Sequence, residues 1–137
     1  MRLSKTHLNE LTYEVIGAAI EVHKALGPGL LEKSYQKCLS HELSLRKIPF
    51  ITELEMAVDY KGENIILDMR CDLFIDNSIV VELKSVANVL PVHEAQLLGY
   101  MKLLKAPKGI LINFNVVNLY NEGQKTYVNE LYRNLPA

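Results

Sequence analysis

The 137-residue chain has only two cysteines, no excess of either charge sign, and no apolar run near the roughly 20 residues needed to span a bilayer. Each shortage removes a class of protein. Cys38 and Cys71 are too few for a disulfide framework, a four-cysteine zinc site or an iron–sulfur cluster; inside apolar patterns they read as buried free thiols. Fifteen Lys and Arg against 16 Asp and Glu give a formal net charge of −1, with no global pull toward nucleic acid but room for a local basic patch. The stretch MRLSKTHLNELTYEV is amphipathic and unlike a secretion signal, so the expectation is a cytoplasmic protein. No Gly-rich strand-to-helix turn and no Gly-x-Ser-x-Gly occurs, which leaves dinucleotide, P-loop and serine-nucleophile chemistry without support.

What is present is 49% hydrophobic residues, enough for one core, and a single domain is expected over residues 1–137. Leu8, Leu11, Val15, Ala19, Val22 and Leu26 recur at spacings of three and four, which predicts a helix over 8–26 that ends at Gly27-Pro28-Gly29. A second helix runs to about 47 with Leu31, Tyr35, Cys38 and Leu39 on its apolar side, before Pro49. The period then becomes two. Residues 50–60 alternate as a strand whose Phe50, Thr52, Leu54, Met56, Val58 and Tyr60 share a face, Gly62-Glu63 suits a hairpin turn, and Ile65, Leu67, Met69, Cys71, Leu73 and Ile75 form the apolar face of a second strand. Asp76-Asn77-Ser78 is turn chemistry before a third strand at 79–84. A third helix is expected over 91–105, with Pro91 in its first turn, and GILINF at 109–114 reads as a buried strand. Beyond 115, KTYVNELYRNL fits a strand, a helix or one followed by the other. This order predicts an α+β fold with a mixed sheet covered by helices.

Hairpin register then places charges. A loop at 76–78 pairs Ile75 with Ile79, Leu73 with Val81 and Cys71 with Leu83, apolar with apolar throughout, and sets Asp72 opposite Glu82 and Arg70 opposite Lys84. The preceding hairpin, closed on Gly62-Glu63, brings Glu53 beside Asp72 and Glu55 beside Arg70. Two carboxylates with Cβ atoms about 5 Å apart repel. Protonation, a nearby Arg or Lys, or a divalent cation such as Mg²⁺ or Mn²⁺ between the oxygens would relieve that repulsion. Asp72, Glu82 and Lys84 together describe a phosphodiester-cleaving site; the bland alternative is a solvated strand face on which Arg70 or Lys84 neutralises the acids.

Other residues carry two readings each. His93, Gln96 and Tyr100 share a helix face and either line a wet cleft or form the polar border of an amphipathic helix. Glu32 is expected as the N3 acid of a helix capped by Gly29, serving the helix dipole. Tyr35 reads as a core aromatic. His23 reads as a ligand, a phosphate contact or, preferentially, a packed surface histidine.

GLLEKSY (Gly29, Glu32, Tyr35), RCDLFIDNSIVVELK and LPVHEAQLLGYMKLL, in this order, resemble the GxxExxY family of the PD-(D/E)XK nuclease superfamily over about 14–114. The resemblance implies a restriction-endonuclease-like αβββαβ core, here with an extra N-terminal helix, and a Mg²⁺- or Mn²⁺-dependent nuclease acting on DNA or, second, RNA. Asp72 matches the motif acid, Glu82 and Lys84 the Glu-x-Lys, Glu32 the acid of the preceding helix, and Gln96 and Tyr100 the Gln-xxx-Tyr element of RecB-type members. Cys71 stands where the family usually has proline. The metal ligands would be Asp72, Glu82, the Leu83 carbonyl and Glu32, with Lys84, Gln96 and Tyr100 completing the catalytic group and His23, Tyr35, Arg70 and His93 as substrate contacts. A homodimer would let so small a domain embrace a duplex. The rival expectation is an inactive nucleic-acid- or protein-binding module of the same fold.

Overall fold

The computed structural model of the chain describes residues 3–137. Helix α1 (Lys5–Leu26) starts at Ser4, whose hydroxyl accepts from the His7 N–H. It stops where Gly27 leaves helical geometry. Helix α2 (Glu32–Leu45) follows the Gly-Pro-Gly turn. Then come β1 (Phe50–Tyr60), β2 (Glu63–Ile75), β3 (Ile79–Lys84), α3 (Pro91–Leu104) and β4 (Lys108–Asn113). The end of the chain is a π-helical turn (Leu119–Gly123), β5 (Gln124–Val128) and a short α4 (Glu130–Arg133), so the ambiguous segment is a strand followed by a helix.

The five strands form one mixed sheet in sequence order, antiparallel except for β3 and β4, which run parallel through the α3 crossover. This is the expected helix-covered α+β architecture of the restriction-endonuclease-like type. Period-two alternation divides the core. Ile79, Val81 and Leu83 of β3, with Ile110 and Ile112 of β4, pack under α1 and α2. Val80 and Leu111 face Leu97, Tyr100 and Met101 of α3. Glu82 and Lys84 have the parity of Val80, which turns them toward α3. Among the described residues no helix is long and apolar enough to cross a membrane.

The structure corrects the hairpin in two places. The turn is Lys61-Gly62, both with positive φ (50° and 91°), and it pairs Tyr60 with Glu63 and Val58 with Ile65. Two positive φ values in succession match a type I′ turn, whose twist suits the flanking strands better than closure on Gly62-Glu63. A bulge between Ala57–Ile66 and Glu55–Arg70 absorbs the difference, so Glu55–Arg70 and Leu54–Cys71 pair as the sequence predicts. The second correction concerns faces. Cys71, Leu54 and Met56 pack on the α3 side, whereas Leu73, Ile75 and Phe50 pack under α1 and α2. Both strands change face at one level, where Glu53 adopts φ 51° opposite Asp72. Simple alternation assigns each strand one continuous apolar face and misses this rotation.

Cys71 is buried, as expected, but Cys38 is exposed on α2. The apolar stripe of α2 runs through Tyr35, Leu39 and Leu43, and Cys38 falls outside it.

Candidate active site

The face change opens the sheet. The β2–β3 ladder ends at Leu73–Val81, and the expected pairings of Cys71 with Leu83 and Arg70 with Lys84 are not part of it. Side chains take the place of the missing rungs. The Asp72 N–H donates to Glu82 Oε1 (3.1 Å), and the Leu83 N–H donates to Asp72 Oδ2 (2.9 Å). Each acid thus satisfies an amide of the opposite strand that the split would leave unpaired. The juxtaposition expected from register is present, held by these two bonds rather than by a regular rung.

The pair is short of solvent. Glu82 is 3% exposed, and burial first, then the Asp72 charge, pushes its pKa up to about 8. Burial also raises the Asp72 pKa, while a hydrogen bond from the Leu83 amide works against the rise. At neutral pH the metal-free Glu82 carboxyl therefore keeps its proton beside Asp72.

Lys84 and α3 close the α3 side. Lys84 Nζ donates to Gln96 Oε1 over 3.4 Å, and Gln96 Nε2 donates to the Tyr100 hydroxyl at 2.8 Å. Tyr100 is 3% exposed; burial, followed by the nearby Glu82 charge, raises its hydroxyl pKa to about 12. The i, i+4 spacing of Gln96 and Tyr100 makes this bond, and Leu97 and Met101 on the adjoining stripe anchor the helix. His93 stands apart, with Nδ1 accepting the Leu90 N–H at the start of α3.

Gly29, Glu32 and Tyr35 do separate jobs. Gly29, at φ 97°, supplies a backbone shape that a side chain would strain. The Tyr35 hydroxyl donates to the Gly27 carbonyl (2.6 Å) and accepts from the Leu30 N–H (3.1 Å), while its ring stacks on Phe114 at 4.2 Å. Tyr35 thus bolts the loop that presents α2. Glu32 is exposed and is the first residue of that helix, with Leu31 as N-cap, so the expected N3 position after a Gly29 cap is corrected. Its charge reaches Asp72 and contributes to the raised pKa there. No three acids, histidines or cysteines among the described residues converge as a metal cluster, so Glu32 stands off from the Asp72–Glu82 pair.

His23 departs from the surface reading. It is buried, its Nε2–H donates to the Val116 carbonyl (2.8 Å), and its ring lies near Phe114. Arg70 is exposed opposite Glu55, beside Lys33 and Glu53. Glu53 pairs with Lys33 instead of adding a free carboxylate to the site, and the Lys33 bond lowers its pKa. Sequence reading missed Asn113. Its Oδ1 accepts the Val86 and Asn115 amides and its Nδ2 donates to the Val86 carbonyl, fixing the loop after Lys84. A lone Asn closing the apolar GILIN run was the available signal.

A helix-covered mixed sheet that parts at its centre around a buried Asp/Glu pair, with a lysine two residues on, defines a class of phosphodiester-cleaving folds. The family model for the PD-(D/E)XK nuclease superfamily matches residues 9–126, and the chain belongs to that superfamily. No curated protein matches it. A solved structure titled "Crystal structure of SSO0001" is 20% identical and superposes with a TM-score of 0.42, the alignment covering 90% of this chain and 82% of that one. PD-(D/E)XK nucleases generally use divalent metals. The donor set fits such an ion: two adjacent carboxylates in a low-dielectric site hold a proton that a hard cation would replace.

Proposed function

We propose that the chain is a metal-dependent nuclease of the GxxExxY type, with the Gln-xxx-Tyr element of RecB-type members, hydrolysing phosphodiester bonds of DNA in preference to RNA. The carrying observation is the buried Asp72–Glu82 pair, each acid accepting a backbone amide of the other's strand, with Lys84 turned to the same side. Asp72, Glu82 and the Leu83 carbonyl are the proposed holders of Mg²⁺ or Mn²⁺, with Glu32 reaching the ion through water. The ion would supply an activated water and a polarised phosphate.

The chain's own groups do the rest. Glu82 would give up its proton to an arriving cation, leaving both acids charged in a site shielded from solvent. Lys84 places an ammonium where negative charge grows on the attacked phosphate. Gln96, held by Tyr100, sets the direction of the Lys84 side chain. Hydrolysis adds the water oxygen to phosphorus, breaks one P–O ester bond and leaves a proton for the departing oxygen.

The test is incubation of the purified protein with single- and double-stranded DNA and with RNA in Mg²⁺ or Mn²⁺. Glu82→Gln is the informative variant: its amide oxygen can still accept from the Asp72 N–H and its NH₂ can take the place of the protonated carboxyl, so it should fold. Metal-dependent DNA cleavage that disappears in this variant supports the reading. Cleavage that persists in it, or a wild type inert with every substrate and metal, overturns it.

A further inference from the structure

The sheet face away from the carboxylate pair carries a polar feature that the proposed chemistry leaves unused. Lys108 opens β4 between Ile79 of β3 and Val128 of β5, and its side chain reaches α1 with 5% of the residue exposed. Nζ donates to Asn9 Oδ1 (2.8 Å) and lies 5.5 Å from the centre of the Tyr132 ring. Among the described residues, no carboxylate stands within ion-pair distance of it. A buried ammonium facing only a neutral amide and a ring is poorly compensated, and burial lowers its pKa accordingly.

The amide beside it is oriented by that ammonium. A lysine can only donate, so Asn9 must present its oxygen; the same oxygen also accepts from the Tyr132 hydroxyl (3.0 Å). Asn9 Nδ2 is left to donate elsewhere. Asn9 and Lys108 lie on the wall of a mostly apolar cleft of ≈ 550 Å³ between α1 and β5, a volume suited to a small molecule. Ile16 and Ile20 form its apolar side, and Tyr13 and Tyr120, 78% and 63% exposed, stand at its rim.

We propose that this cleft binds a small molecule with an apolar or aromatic body and one carboxylate or phosphate, the oxyanion meeting Lys108 Nζ and Asn9 Nδ2 and the body lying along Ile16, Ile20 and the two tyrosines. The anion supplies the counter-charge that the fold withholds from Lys108. The aliphatic wall and the tyrosine rings supply the contact area.

Two-dimensional NMR of the uniformly ¹⁵N-labelled full chain tests this with three probes: 3-phenylpropionate, phenyl phosphate and the uncharged 3-phenylpropionamide. At least one anionic probe should produce saturable shifts at the amides of Asn9, Gly17, Lys108 and Thr126, and the uncharged amide should bind about tenfold or more weakly. Lys108→Met keeps the volume and removes the charge. Asn9→Asp keeps the lysine but gives it an internal counter-ion. Both variants should lose the anion response while the remaining amide spectrum stays that of the folded wild type. Absence of saturable shifts with all three probes, equal affinity for acid and amide, or an anion response unchanged in both variants would each overturn the proposal, whatever the outcome of the cleavage assay.

Discussion

Glu82 is the residue on which the proposed chemistry turns, and its burial has a thermodynamic signature. A carboxyl whose pKa rises from 4.5 to about 8 on folding keeps its proton in the native state while the unfolded chain has already lost it. The native state therefore binds more protons between those values, and metal-free stability falls as pH rises through that window, by on the order of 3 kcal/mol. Asp72 acts in the same direction. Urea unfolding at about pH 5 and about pH 9 should show the loss, and Glu82→Gln should flatten most of it. Mn²⁺ should raise the wild-type melting temperature more at the higher pH, because loading displaces a proton. A wild-type stability that climbs across this window would contradict a Glu82 that keeps its proton in the folded state.

Lys84 and Tyr35 separate chemistry from support at the same scale. If Lys84 stabilises charge as proposed, replacing it by Ala should slow single-turnover cleavage by about 10²–10³-fold with little change in melting temperature. Tyr35→Phe strips the hydroxyl from the Gly27 carbonyl and the Leu30 N–H while retaining the ring stack. It should cost about 1–3 kcal/mol by urea denaturation, since two backbone groups of a partly buried loop lose their partner.

At the scale of elements, periodicity predicted β1 and β3 to the residue and the helices to within a few residues, because each has a continuous two- or four-residue rhythm. Breaks in rhythm were hidden. Nothing local in FITELEM announces that Glu53 adopts φ 51° or that β1 and β2 rotate together there. The bulge at 67–69 likewise exists only relative to the partner strand. The helix faces permit a chemical check. A thiol reagent should label one cysteine per native chain, Cys38 on the outer side of α2, and a second only after unfolding, since Cys71 is fully buried and its thiol is pushed up to about 12. Native labelling of both cysteines would show that β2 is not packed against α3 as described.

At the scale of the whole molecule, a net charge of −1 leaves Arg70 and Lys84, with Lys33 already paired to Glu53, as the cations nearest the acid pair. If DNA is the substrate, few counterions are released. The slope of log affinity against log salt for Glu82→Gln, measured by fluorescence anisotropy, should be no steeper than about −3. A much steeper slope would mean that a broader basic surface than these residues provide engages the phosphates.

The order of elements through β4, the facing of Asp72 and Glu82 and the Gln96–Tyr100 face were legible in the sequence, since spacing sets which residues share a face wherever the rhythm is unbroken. Folding in three dimensions decided the remainder: that the ladder parts so the acids cap each other's strand, that Glu32 stands off, that His23 is buried, and that Lys108 lines the cleft beside α1 without a counter-ion. Those outcomes depend on which distant segments meet, and hydrogen bonding and desolvation act between partners that no local window of residues contains.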